Sequence, residues 1–256
     1  MASFDFVECT TRAFSFVWKE RSEVVRLSAM VIAIKVVSFI ALILFELQDN
    51  LLRQGILLIP SYYLEGVVIA RLVIVATQTH ERMNADNLQA SLQASAIIYL
   101  LIKMALSFVT GMTAFTQGTM PDTTSSEPTM SLFVVAFFIL LLMIWSFRFL
   151  WLYVPIALGY SLIDFMRKFK SFSSSLYMIG LWIMCMVPVG FFMVICIELL
   201  AMIFPPIGDE KSMVLKLGIA FVQAIADYGL ALVSSIGMAY GIHSVFNNEN
   251  KTTSLF

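Results

Sequence analysis

The sequence predicts an all-α fold: a polytopic integral membrane helical bundle of about six transmembrane helices plus amphipathic interfacial helices. Two compositional observations lead to this class, since 60% of the 256 residues are hydrophobic and only 13% are charged, with a mean hydropathy of +0.89. A soluble domain is about half apolar and about a quarter charged, and a soluble chain this apolar would expose aggregation-prone patches. The composition therefore excludes a water-soluble domain and a nucleic-acid binder with a basic face.

The third observation is a set of six stretches long enough to span a bilayer, which takes about 20 mostly apolar residues. They cover residues 25–45, 55–77, 95–115, 131–153, 176–204 and 213–243. Together they form one predicted transmembrane domain over 24–246, followed by a cytoplasmic tail over 247–256. Little of the chain remains for a soluble catalytic module.

The residues before the first span, 1–23, predict an N-terminal amphipathic interfacial helix. One stripe at helical spacing is apolar, made of Phe6, Ala13, Phe14, Val17 and Trp18. Charged residues occupy the other side, namely Glu8, Arg12 and Lys19. The pattern fits a helix lying in the headgroup region, and it fits equally well an ordinary helix packed against the bundle.

Two later segments, 84–94 and 162–175, are also amphipathic and precede the third and fifth spans. This spacing favours three copies of one unit, an amphipathic helix followed by a transmembrane hairpin. The stretch 131–164 has 34 residues, about 51 Å of helix at 1.5 Å per residue. We therefore expect a break at Pro155, which removes a helical hydrogen bond, and a static kink at Pro188 and Gly190.

Lys and Arg near the ends of the spans predict the orientation, because cytoplasmic connections carry an excess of both. Nine lie on one side: Arg12, Lys19, Arg21, Arg26, Arg82, Arg167, Lys168, Lys170 and Lys251. Three lie on the other: Arg53, Lys211 and Lys216. We expect both termini in the cytoplasm.

Four ionisable residues lie near the middle of their spans, where an unpaired charge costs at least a few kcal/mol. They are Lys35, Glu65, Lys103 and Asp227, and we call them the polar quartet. Two are basic and two are acidic, so we predict that Lys35 and Lys103 pair with Glu65 and Asp227 inside the bundle. The set serves either as structural ion pairs or as a polar pathway or ligand pocket.

Three further charges lie towards the two membrane faces: Arg71, Arg148 and Glu198. Snorkelling to the headgroups accounts for the two arginines, and it is an alternative explanation for Lys103. In the sixth span Gly237 and Gly241 form a GxxxG pattern, which permits close helix packing, and we expect that packing within one chain.

No catalytic, cofactor-binding or metal-binding motif is recognisable. His80 and Glu81 would begin a zinc-protease helix, but Asn84 stands where the second histidine is required. We therefore assign no catalytic residue, no cofactor and no metal, and the sequence favours a non-enzymatic role.

The layout resembles the bacterial YciC-like membrane proteins and the membrane domain fused to some glycerophosphoryl diester phosphodiesterases. The features that match are the aromatic start at 14–18, the run Arg148-Phe-Leu-Trp-Leu-Tyr-Val-Pro155, the basic and serine-rich segment 167–175, and the final Ala239-Tyr240. The resemblance implies a bacterial inner (cytoplasmic) membrane location. The resemblance does not imply the activity of the phosphodiesterases, because their catalytic module has no counterpart in this sequence.

These observations favour a membrane interaction or assembly component that organises lipids or partner proteins. The alternative is a small transporter or channel with a mid-membrane polar route. The expected partners are the lipid bilayer and a membrane protein or a second copy of the chain, and nucleic acid is not expected.

Overall fold

A computed structural model describes residues 4–45, 51–79, 84–119, 130–204 and 212–253, and within these ranges the regular structure is entirely helical. In chain order the helices are α1 (Phe6–Lys19), α2 (Arg21–Leu44), α3 (Leu51–Ala76), α4 (Ala85–Thr119), α5 (Met130–Ser146), a 3₁₀ helix (Phe147–Trp151), α6 (Tyr153–Ala157), α7 (Leu162–Lys168), α8 (Phe172–Ile203) and α9 (Met213–Thr253). Within the described residues, six segments are long and apolar enough to cross a membrane. The predicted all-α bundle is confirmed. His80, Glu81, Arg82 and the last three residues of the tail lie outside the described ranges.

Helix α1 is fixed at its start by Asp5, whose Oδ1 accepts hydrogen bonds from the backbone N–H of Val7 (2.9 Å) and of Glu8 (3.1 Å). This is an N-cap, which satisfies donors that have no partner within the helix. Helix α1 packs along α8 and α9 and buries Cys9 and Ala13. Trp18 stays exposed, so the interfacial position of this segment remains a prediction.

Helices α3 and α4 approach closely at Gly66. A Cβ atom at this position would lie 2.9 Å from the Cα of Ala96, a distance that real side chains do not tolerate. The small residue therefore sets the spacing of these two helices, as is common where membrane helices pack tightly.

The separate amphipathic helix predicted over 84–94 is wrong, because α4 runs unbroken through this segment. Its serines have a different role. The Ser91 hydroxyl donates to the carbonyl of Ile156, and the Ser95 hydroxyl donates to the carbonyl of Tyr153 (2.8 Å). The polar side of this segment thus satisfies the backbone of α6, and the proposed threefold repeat loses one of its three amphipathic helices.

The break in the fourth span lies before Pro155, so the predicted position of the break is wrong. Helix α5 ends at Ser146 and the chain continues as a 3₁₀ helix. Pro155 is the third residue of α6, in the first turn, where a helical residue needs no N–H donor. Gly159 then adopts a left-handed conformation (φ 73°) and turns the chain from α6 towards α7.

Helix α9 lies at the centre of the bundle, in contact with α1, α2, α3 and α8. A Cβ at Gly237 would lie 3.3 Å from Leu181 of α8, and a Cβ at Gly241 would lie 2.8 Å from the Phe4 ring. The GxxxG pattern therefore packs against α8 and the N-terminal segment of the same chain.

Candidate functional site

The structure brings the four members of the polar quartet together from four helices. Lys35 of α2 donates from Nζ to Glu65 Oε2 of α3 at 2.9 Å and also to Asp227 of α9. Lys103 of α4 lies 3.2 Å from Asp227 Oδ1 and 3.8 Å from Glu65 Oε1. Each carboxylate thus contacts both ammonium groups, and the formal charge of the quartet sums to zero.

The members of the quartet differ in exposure. The side chains of Lys35 and Glu65 are 0% exposed, that of Lys103 is 18% exposed and that of Asp227 is 44% exposed. A buried charge without a partner is strongly destabilising, so Lys35 and Glu65 depend on each other and on their neighbours. The Lys103–Asp227 pair forms the accessible edge.

Two tyrosines complete the surroundings of the quartet. The Tyr99 hydroxyl donates to Glu65, and the Tyr62 ring centroid lies 6.0 Å from Lys35 Nζ and 5.7 Å from Lys103 Nζ. Ring faces attract cations at such distances. Neither tyrosine was predicted from the sequence, although residues three or four apart share a helix face, which places Tyr62 beside Glu65 and Tyr99 beside Lys103.

A second layer of hydrogen bonds joins the helices next to the quartet. The Tyr153 and Ser235 hydroxyls are 2.7 Å apart, and so are the Ser28 and Tyr228 hydroxyls. Tyr99 lies edge-on to Tyr153, with ring centroids 4.9 Å apart. These buried hydroxyls are paired, as burial requires, and they fix α9 against α2 and α6.

A cavity of about 460 Å³ borders the exposed edge of the quartet, between α4, the 3₁₀ helix, α8 and α9. Its wall is mostly aliphatic and aromatic and includes Trp151, Trp182 and Ala231, while Lys103 and Asp227 supply charged groups. The volume lies within the range of about 300–1,000 Å³ that is usual for small-molecule pockets. The arrangement can hold an apolar body with a polar group beside the quartet.

The three charges predicted near the membrane faces lie apart from this cluster, since none forms an ion pair with the quartet in the described part of the chain. Arg71 and Glu198 are exposed. Arg148 is 1% exposed, so the snorkelling predicted for it is wrong. Its Nη1 donates to the Phe169 carbonyl at 2.7 Å, and its guanidinium lies 4.1 Å from the centroid of the Trp145 ring. Arg148 therefore joins the 3₁₀ helix to the segment after α7.

Ser234 and His243, two side chains of types that take part in nucleophilic or metal chemistry, are engaged in structural contacts. The Ser234 hydroxyl donates to the Leu230 carbonyl, and His243 Nδ1 is 2.8 Å from the Tyr160 hydroxyl. Among the described residues, no cluster of His, Cys, Asp and Glu is suited to hold a metal ion.

Comparison with known proteins adds no relative from which a role can be transferred. No protein-family model matches the chain, and no curated protein or solved structure shows significant similarity to it. The functional conclusion therefore rests on the polar quartet and the adjoining cavity.

Proposed function

We propose that this chain is a non-enzymatic membrane component that binds an amphipathic lipid within the bilayer. In this role it would organise lipids or partner proteins. The observation that carries this proposal is the cavity of about 460 Å³ beside the quartet. A lipid supplies both the apolar body and the polar group that such a site accommodates.

The pairing of the four charges within the quartet supports a binding role. Both ammonium groups contact both carboxylates, so the four charges are compensated without any other ion. Removing one member would leave an uncompensated charge at low dielectric. The quartet in this arrangement anchors four helices and gives the cavity a rigid polar edge.

A cavity-filling variant tests the proposal. Ala231 is half-buried and lines the cavity, so Ala231→Phe places a ring in the space available to the ligand. Ala105→Phe is the matched control, since Ala105 is an exposed alanine on α4. We expect lipid that co-purifies with the wild-type chain, detected by native mass spectrometry, to be lost from Ala231→Phe and kept by Ala105→Phe. Equal lipid retention by both variants would overturn the proposal.

A small transporter with a mid-membrane polar route is the second candidate. The observation in its favour is the 44% exposure of Asp227 at the cavity edge, because an accessible carboxylate in a span is typical of ion and substrate pathways. Flux of protons or monovalent ions into proteoliposomes, compared between the wild-type chain and Asp227→Asn, separates the two. Flux that the substitution abolishes would favour transport, and its absence from both preparations would favour the binding role.

We also propose a bacterial inner-membrane location with both termini in the cytoplasm, a YciC-like relationship, and assembly with a membrane-protein partner or a second copy. The excess of Lys and Arg on one side and the sequence pattern around 148–155 support these statements. Labelling of Glu20→Cys, an exposed position between α1 and α2, tests the orientation. An impermeant maleimide should react with it in inverted vesicles but not in intact spheroplasts, and the reverse would contradict the orientation.

A further inference from the structure

We infer that the cavity selects a lipid with an uncharged, hydrogen-bonding head, such as a long-chain alcohol or a diacylglycerol, over lipids with anionic or cationic heads. This inference rests on the proposed lipid-binding function and specifies its ligand class. Two features carry it: the charge balance of the quartet and the exposed edge of the Lys103–Asp227 pair.

The charge balance disfavours a charged head. The two ammonium groups and two carboxylates already neutralise one another through contacts in all four combinations. An anionic or a cationic head placed beside them would add one charge without a compensating partner in a largely apolar surrounding, which is costly within a bilayer. An uncharged head adds none.

The exposed edge supplies both kinds of hydrogen-bonding group. Asp227, 44% exposed, can accept a hydrogen bond, and Lys103, 18% exposed, can donate one. A hydroxyl donates one hydrogen bond and accepts others, so one hydroxyl head can satisfy both side chains. A quaternary ammonium has no donor, and a sulfate has no donor for the Asp227 carboxylate.

Trp151 adds an aromatic surface and a buried N–H beside the cavity. It borders the cavity and is 5% exposed, and its indole Nε1 has no hydrogen-bond partner among the described residues. Buried polar groups are rarely left unpaired. The Nε1 atom itself is buried, so in this arrangement the ligand would contact the Trp151 ring and not its N–H, while the tail lay along Trp182 and the aliphatic wall.

A matched series of probes tests the selectivity. Three ligands share one dibrominated octadecyl chain and differ only in the head: an alcohol, a sulfate and a trimethylammonium. The two charged heads keep their charge at every pH used, so neither can become neutral by exchanging a proton. Bromine quenches indole fluorescence, and Trp151 and Trp182 line the cavity. The binding curve is measured in a Trp18→Phe background, which removes an exposed indole, and quenching that remains in Ala231→Phe is subtracted.

We expect the alcohol to bind at least about tenfold more tightly than either charged probe, the change that 1.4 kcal/mol produces. Equal binding of all three heads, or tighter binding of a charged one, would overturn the inference and leave the lipid-binding proposal intact. Absence of cavity-specific quenching by all three would overturn both.

Changing the charge of the quartet should change the preferred head. Asp227→Asn leaves one excess positive charge and should favour the sulfate, and Lys103→Gln leaves one excess negative charge and should favour the trimethylammonium. The double variant is neutral again and should return to the alcohol. A preference that stays the same in folded single variants would contradict the charge argument, and the wild-type series tests the inference even if a variant fails to fold.

Discussion

The two sides of this bundle are built differently. In an apolar 18-residue stretch of α3, and likewise of α9, 56% of the residues are buried, whereas in the corresponding stretch of α8 the share is 6%. The buried side contains the polar quartet and the close contact at Gly66. The side formed by α5 and α8 exposes large apolar residues, among them Phe137, Leu142, Val187, Phe191 and Leu199.

The difference shows what positions helices in a membrane. Burial of apolar surface gives little preference between lipid and protein neighbours, so packing and polar contacts decide which faces turn inward. A helix with a charged or small residue at mid-depth has one face that packs against other helices and not against lipid. Helix α8 is apolar on nearly all sides, and its buried residues all lie between Ser174 and Cys185 in the first half of the helix. The polar quartet therefore specifies the buried half, and α5 and α8 present a surface suited to lipid.

The largest loss of stability is expected from Lys35→Met, on the buried side of the bundle. The substitution leaves Glu65, which is 0% exposed, with the hydrogen bond from Tyr99 and with only the longer contact to Lys103 to balance its charge. Breaking a buried ion pair by removing one partner costs about 3–5 kcal/mol. The free energy of unfolding, measured by titrating the detergent-solubilised protein with SDS, should fall by about that amount.

The double variant Lys35→Met/Asp227→Asn is the control for this prediction, because it restores the charge balance. It should be more stable than the sum of the two single losses predicts, since residues in direct contact couple. Purely additive losses would contradict the pairing of Lys35 with Asp227.

The next largest loss of stability is expected on α8, where a buried and an exposed position can be compared. Leu181 is fully buried against Gly237, and Phe191 is exposed. Leu181→Ala should lower the free energy of unfolding by about 2–3 kcal/mol through lost packing. Phe191→Ala should change it by less than about 0.5 kcal/mol. The same SDS titration checks both, and comparable losses would mean that Phe191 is covered by a partner or a second copy.

Two glycines allow a finer comparison, since both are helical and differ in their neighbours. A Cβ at Gly66 would meet the Ala96 backbone at 2.9 Å, and a Cβ at Gly190 would meet nothing within 4 Å. Gly66→Ala should destabilise by about 1–2 kcal/mol because α3 and α4 must separate. Gly190→Ala should be neutral or stabilising by about 0.5–1 kcal/mol, because alanine favours helix. Thermal unfolding in detergent should show shifts of opposite sign or of clearly different size, and equal destabilisation would place an unseen neighbour at Gly190.

The smallest effect concerns Cys9 on α1, where burial raises the pKa of the thiol to about 11 from its usual value near 9. At pH 8 the reactive thiolate is then on the order of 0.1% of the population, and maleimide labelling should be slow until the protein unfolds. In the unfolded chain the thiol ionises near pH 9, whereas in the folded chain it stays protonated up to about pH 11. The contribution of Cys9 to stability is therefore complete below pH 9 and is lost as the pH rises between 9 and 11. Rapid labelling of the folded protein at pH 8 would show that α1 is not packed as described.

The sequence determined the class of the fold and the candidate polar residues. Twenty apolar residues in a row can satisfy their backbone in a bilayer only as a helix, so the spans followed from hydropathy alone. Four mid-depth charges had to be compensated, and two of each sign were available. These inferences needed no knowledge of how one helix is rotated against another.

Only the tertiary structure decided which contacts form, because hydropathy is a property of each helix and contacts depend on rotation and spacing. It turned the serines of α4 towards the backbone of α6, enclosed Arg148 beneath Trp145 and placed the break of the fourth span before Pro155. It also left Asp227 more exposed than Lys35, although both lie at mid-depth in sequence. The cavity beside Asp227 is lined by residues of several helices, among them α4, α8 and α9, and no single segment of the sequence encodes a space between helices.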